Sequence, residues 1–117
     1  SDELLTQSSH GTHGTGRAAG TLAYMAPELI DGADFSEKCD VYSFGLCSYE
    51  IIARRLPWPG RNEGQIIRAV CDKKQRPPLP REAPSDLVDL ATTCWRHDPD
   101  DRPTFAGLAR RTAAIPP

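Results

Sequence analysis

Ser8, Ser9, Thr12 and Thr15 offer four hydroxyls in a stretch loosened by Gly11, Gly14 and Gly16. Phosphorylation there would add about −1.5 to −2 charge and order the stretch against a basic cluster, whereas the plainer reading is a flexible loop whose hydroxyls do nothing. His10 and His13, three apart, invite zinc, but a zinc site takes three or four ligands and no Cys, Asp or Glu stands nearby at suitable spacing. We therefore expect no metal site. Gly14-Thr15-Gly16-Arg17-Ala18-Ala19 fits a degenerate phosphate-cradling pattern, yet no strand precedes it and no helical pattern opens there, so the match is read as chance. Asp40 lies one turn into an otherwise apolar helical pattern, where a carboxylate needs a partner; a first-turn Asp favoured by the helix dipole is the plainer alternative. Cys39, Cys47, Cys71 and Cys94 form no C-x-x-C pair and stand mostly in apolar stretches, as small hydrophobes do. With an acidic Ser1-Asp2-Glu3 start and no signal-peptide pattern, they point to a reducing, cytoplasmic location.

The elements that must carry these groups are helical. Residues 1–20 have the polar, Gly/Ser/Thr-rich composition of a loop. Ser36 then stands as an N-cap before a long helix over 37 to about 55, whose Val41, Phe44, Cys47, Ile51 and Ile52 recur at helical spacing. Tyr42, Leu46 and Tyr49 add apolar surface on its other faces, and such a helix belongs in the middle of something larger. Leu56-Pro57-Trp58-Pro59-Gly60 ends it. A short helix is expected over 65–72, and residues 75–84, with four of the eleven prolines, form an extended connection. Ser85 is expected to cap a helix bearing Leu87, Leu90, Ala91 and Cys94. Thr104 is expected to cap a last one bearing Phe105, Leu108, Ala109 and Thr112, stopped by Pro116-Pro117.

The 117 residues fit one domain or less, and 38% hydrophobic with 26% charged residues is a globular composition without a membrane span. A net charge of −2 with scattered basic residues disfavours nucleic acid. Trp58 and Trp95 read as packing residues.

Gly20-Thr21-Leu22-Ala23-Tyr24-Met25-Ala26-Pro27-Glu28 is the most informative segment. Its Ala-Pro-Glu after a hydroxyl-rich loop resembles the end of a protein kinase activation segment. The resemblance runs on through Asp40-Val41-Tyr42-Ser43-Phe44-Gly45, Leu56-Pro57-Trp58, Cys94-Trp95 and Asp101-Arg102-Pro103-Thr104-Phe105. It spans residues 20 to about 109, and its wording is similar to the tyrosine-kinase-like branch of serine/threonine kinases.

The resemblance implies a mainly α fold, the helical C-terminal lobe of a protein-kinase-like domain preceded by a long activation-segment loop. Residues 1–28 would be the activation segment through Ala-Pro-Glu and 29–117 the helical subdomain. Glu28 and Arg102 would form a buried ion pair, and Asp40 would anchor the backbone of the catalytic loop. Thr21 and Leu22 would position substrate, with Thr21 arguing for Ser/Thr specificity and Leu22 replacing a frequent proline. Thr15 would be the main phosphorylation site and Thr12 its competitor, while Glu50 would border the substrate groove or serve plainly on the helix surface. No Gly-rich loop with a V-A-I-K lysine, no H-R-D-x-x-x-x-N and no D-F-G occurs in the 117 residues. Those motifs hold ATP, magnesium and the substrate hydroxyl in the family, so no catalytic, cofactor or metal residue is assigned here. The resemblance implies that ATP and Mg belong to a parent domain completed by an N-terminal lobe, whose partners would be a protein substrate and an upstream activating kinase. The alternative is a noncatalytic pseudokinase or truncated lobe that serves as an interaction module; an unrelated helical adaptor would leave the ordered motifs unexplained.

Overall fold

The computed structural model describes residues 22–113, which form helices joined by turns and extended stretches, with no strand among them. The mainly α expectation holds. A short α1 (Pro27–Ile30) opens on a proline, whose fixed φ and missing N–H suit a first helical turn. The long α2 (Glu37–Ala53) follows, with the Ser36 hydroxyl accepting the amide of Lys38 as its cap. It ends two residues earlier than its sequence suggests. Arg54 takes a left-handed conformation (φ 57°), and its amide bonds the Glu50 carbonyl, so the chain has turned before the Leu56-Pro57 pair is reached.

The expected helix over 65–72 divides into α3 (Glu63–Ile67) and a π-helical turn (Arg68–Asp72). Asn62 and Gln65 start α3 with a reciprocal capping box, each side chain bonding the other residue's amide at 2.9 Å. Residues 75–80 carry no regular secondary structure and lead through a turn into α4 (Ser85–Cys94). Here Pro84, not Ser85, holds the cap position, and no side chain caps the helix. A proline at the cap presents its carbonyl to the amides of Leu87 and Val88, which leaves Ser85 already inside the first turn. A 3₁₀ turn (Pro99–Asp101) leads to α5 (Phe105–Ala113), where the Thr104 hydroxyl accepts the Gly107 amide at 3.0 Å as a cap does. Pro116 and Pro117 lie outside the described residues.

Two apolar clusters flank α2. Cys39, Tyr42, Leu46 and Tyr49 pack with Ala26, Trp58, Ile66, Val70 and Trp95, while Val41 packs with Leu90, Cys94 and Leu108 from α4 and α5. This corrects the stripe expected from the sequence. Phe44, Cys47 and Ile51 face outward, with Ile51 79% exposed, and it is Tyr42, Leu46 and Tyr49 that are fully covered. A helix buried on two sides carries apolar residues over most of its circumference, so periodicity marks it as central without saying which residues face which neighbour. On α5 only Leu108 is buried; Phe105 instead meets Phe44 edge-on, with ring centroids 6.2 Å apart.

Candidate functional site

Residues 22–28 lie against α2, and the structure holds them at both ends. At the C-terminal end the Glu28 carboxylate receives the guanidinium of Arg102 in a parallel pair: Nη1 donates to Oε2 and Nη2 to Oε1, both at 2.8 Å. Arg102 is 2% exposed and lies 74 residues further along the chain. A guanidinium has five N–H donors, and burial is costly unless all find acceptors. The remaining three do: Nη1 bonds the carbonyl of Lys38 at 2.9 Å, Nη2 that of His97 at 3.1 Å, and Nε that of Arg96 at 2.8 Å. One side chain therefore joins α1, the first turn of α2 and the loop after α4.

Burial alone would raise the Glu28 carboxyl pKa. The hydrogen bonds from Arg102, the backbone, the Arg102 charge and the Cys39 thiol outweigh it and hold the group below its usual 4.5. Cys39 donates its thiol to Glu28 Oε2 at 3.3 Å, and burial, with the adjacent carboxylate, raises the thiol pKa and favours this protonated donor. Beneath the pair lies Tyr42, whose ring centroid is 5.2 Å from the guanidinium carbons of both Arg102 and Arg76. Its pKa is pushed up to about 12 by burial, against the pull of the two arginines.

The first turn of α2 also fastens the stretch after α4 and the start of α5. Lys38 Nζ donates to the carbonyls of Arg102 at 2.8 Å and Pro99 at 3.2 Å, and Glu37 accepts the Phe105 amide at 3.0 Å. These two charged residues were not singled out by their sequence. Their only signal was position, directly before the apolar run.

At the N-terminal end, the Ser43 hydroxyl donates to the Tyr24 carbonyl at 2.7 Å. The Tyr24 phenol, pushed up to about 12 by burial and then by the Glu50 carboxylate, lies beside α2 as a neutral donor. Leu22, Ala23 and Tyr24 pack against the larger apolar cluster. Ser43 too was passed over, although a hydroxyl on a buried apolar helix was a usable sign.

The structure thus brings Glu28 and Arg102 together and sets Leu22 on the same packed segment. Asp40 is exposed, so its first-turn place on α2 carries no burial penalty here. Trp58 and Trp95 are buried in the core, and Glu50 is half-buried on α2. Thr12, Thr15, Thr21, His10 and His13 lie outside the described residues. Among the described residues no group of three or more His, Cys, Asp or Glu side chains gathers as a metal site would. All four cysteines are free thiols, with Cys39 and Cys94 buried.

Comparison with known proteins places the chain in a family. The family described as protein tyrosine and serine/threonine kinase matches residues 3–112. The chain is 40% identical over 99 residues to the dual specificity protein kinase shkD of Dictyostelium discoideum, an alignment covering 84% of this chain and 13% of that protein. It is 38% identical over 86 residues to mitogen-activated protein kinase kinase kinase 7 of Drosophila melanogaster, covering 74% of this chain and 13% of that protein. With the serine/threonine/tyrosine-protein kinase HT1 of Arabidopsis thaliana it shares 39% identity over 89 residues, 76% of this chain and 23% of the relative. The chain spans about an eighth of the length of the first two. A helical body that clamps an Ala-Pro-Glu carboxylate, matched by the family over nearly the whole chain, establishes that this chain belongs to the protein tyrosine and serine/threonine kinase family.

Proposed function

We propose that this chain is the activation-segment and C-terminal-lobe portion of a serine/threonine protein kinase, whose complete form transfers the γ-phosphoryl of Mg-ATP to protein hydroxyls in signalling. Residues 1–28 are the activation segment and 29–117 the helical subdomain. The observation that carries this reading is the five-donor seat of Arg102, which fastens Glu28, and with it the segment bearing Leu22, to the helical body. A substrate platform must be held rigidly, because misplacement of a reacting group by about 1 Å can cost about 100-fold in rate. Asp40, exposed at the start of α2, is available to anchor a catalytic loop, and Thr15 or Thr12 would accept an activating phosphate.

The chain's own residues do not fit a nucleotide or magnesium. It contains no Gly-rich loop with a V-A-I-K lysine, no H-R-D and no D-F-G. On its own it is therefore expected to bind no Mg-ATP and transfer no phosphate, and the nucleotide chemistry belongs to the parent domain. Its site of action is proposed to be the cytoplasm, its partners a protein substrate and an upstream activating kinase.

The test is calorimetry with Mg-ATP and a radiolabelled transfer assay. The 117-residue chain should be silent, and a protein that adds the upstream coding sequence should phosphorylate Ser and Thr in a peptide library. Tyrosine phosphorylation would extend the reading toward dual specificity, which the name of the shkD relative carries. An upstream sequence whose V-A-I-K lysine or H-R-D and D-F-G aspartates are substituted would favour instead a noncatalytic interaction module.

A further inference from the structure

Hydroxyls inside helices ordinarily donate back to the carbonyl four residues earlier. Ser48 does so to Phe44 at 2.9 Å, Thr92 to Val88 at 2.8 Å and Thr112 to Leu108 at 2.9 Å. Ser43 departs from this. Its distance to the Cys39 carbonyl is 3.3 Å, while the Tyr24 carbonyl, on a different segment, lies at 2.7 Å. A serine has one proton to donate, and the shorter contact takes it.

We infer that Ser43 is a positioning residue for the protein substrate: through the Tyr24 carbonyl it fixes the place on α2 of the stretch that carries Leu22. The inference rests on the kinase reading above. The neighbouring carbonyls show why this bond matters. The Leu22 carbonyl accepts the Met25 amide, and the Ala26 carbonyl accepts those of Leu29 and Ile30, so both are used within the segment. Those local bonds shape the turn without attaching it to anything. Ser43 attaches it to α2 on the N-terminal side, and Arg102 attaches it at Glu28, four residues after Tyr24. With the far end held by an ion pair, loss of the near bond loosens the Leu22 end, which then keeps only its apolar packing and the Tyr24 phenol beside Glu50. Binding of the peptide should then suffer, while nucleotide binding, which depends on other parts of the domain, should not.

The experiment uses the full-length kinase with Ser43→Ala and Ser43→Thr, the second of which keeps the hydroxyl. Ser43→Cys, with a weak donor of similar shape, replaces the alanine variant if that one fails to fold. Two readouts are taken: amide exchange of a peptic fragment spanning residues 22–26, and KM and kcat for one fixed peptide selected from a degenerate Ser/Thr library. Ser43→Ala should speed exchange of that fragment and raise the peptide KM about 3- to 10-fold, the range set by one net hydrogen bond. KM for ATP and kcat should stay unchanged, and Ser43→Thr should restore both readouts. Unaltered exchange overturns the attachment. Faster exchange with an unaltered peptide KM overturns the positioning role, and Leu22→Ala then separates two causes: if it raises the peptide KM the platform stands without Ser43, and if it does not the platform reading itself falls.

Discussion

Gly45 and Cys94 meet where α2 passes α4. A Cβ on Gly45 would stand 2.9 Å from the Cys94 Cβ and 3.1 Å from the Ala91 carbonyl oxygen. Alanine in a helix is ordinarily favoured over glycine by about 1 kcal/mol. Here the neighbours are a Cβ and a backbone oxygen rather than the end of a mobile side chain, so overpacking at about 1–3 kcal/mol is expected to win. Gly45→Ala should lower the urea midpoint of the folded domain. Gly64→Ala, whose Cβ would find only Asn62 Oδ1 at 3.6 Å, should leave it unchanged or raise it slightly.

Removing Arg102 leaves Glu28 half-buried with its main partner gone, and breaking a buried pair in this way costs about 3–5 kcal/mol. Arg102→Ala in the full-length domain should therefore shift the denaturant midpoint far more than Arg54→Ala, which alters an exposed residue and should stay within about 0.5 kcal/mol. Arg102→Lys should recover little, because an ammonium has three donors and no planar fork to meet five acceptors. Equal midpoints for the alanine variants would count against the pair as a structural tie.

The lowered Glu28 pKa sets the sign of an acid effect. The native state favours the carboxylate, so its contribution is fully present above the unfolded value of 4.5 and is lost as pH falls through the lower folded value. His97, lowered by burial and then by Arg76, Lys74 and Arg102, loses its share over a higher window, beginning near its unfolded 6.5. Urea midpoints followed from about pH 7 down to about pH 3 should fall more steeply below 4.5 for the wild type than for Glu28→Gln. Because the Glu28 charge itself raises the His97 pKa, the His97 portion should be slightly larger in Glu28→Gln.

Phosphorylation of the hydroxyl-rich stretch should raise the activity of the complete kinase, with Thr15, flanked by Gly14 and Gly16 and shortly before Gly20-Thr21, as the main site. Arg17 is two residues away, and a single arginine brings one charge, so the larger gain must come from an arginine elsewhere in the domain. Thr15→Ala should lose most of the stimulation by an activating kinase, and Thr12→Ala should lose less. Full stimulation of Thr15→Ala moves the site, and full stimulation of both removes the switch.

Local chemistry made much of this chain legible in its residues. The Ser36 and Thr104 caps, the long central helix and the proline-rich extended stretch follow from side-chain hydroxyls, apolar spacing and proline geometry, which act within a few residues. The Glu28–Arg102 pair could be named from its two motifs, but not its five-acceptor seat, three members of which are backbone carbonyls with no sequence signature. The buried face of α2 was decided only by tertiary structure, since clusters on two sides leave no single apolar stripe to read. Ser85 lost the cap to Pro84 because the incoming chain, and not the residue's own preference, set which carbonyl begins the helix. The reach of Ser43 to Tyr24 belongs to the same class: it depends on where a segment 19 residues earlier comes to rest, and that is set by packing across the whole body.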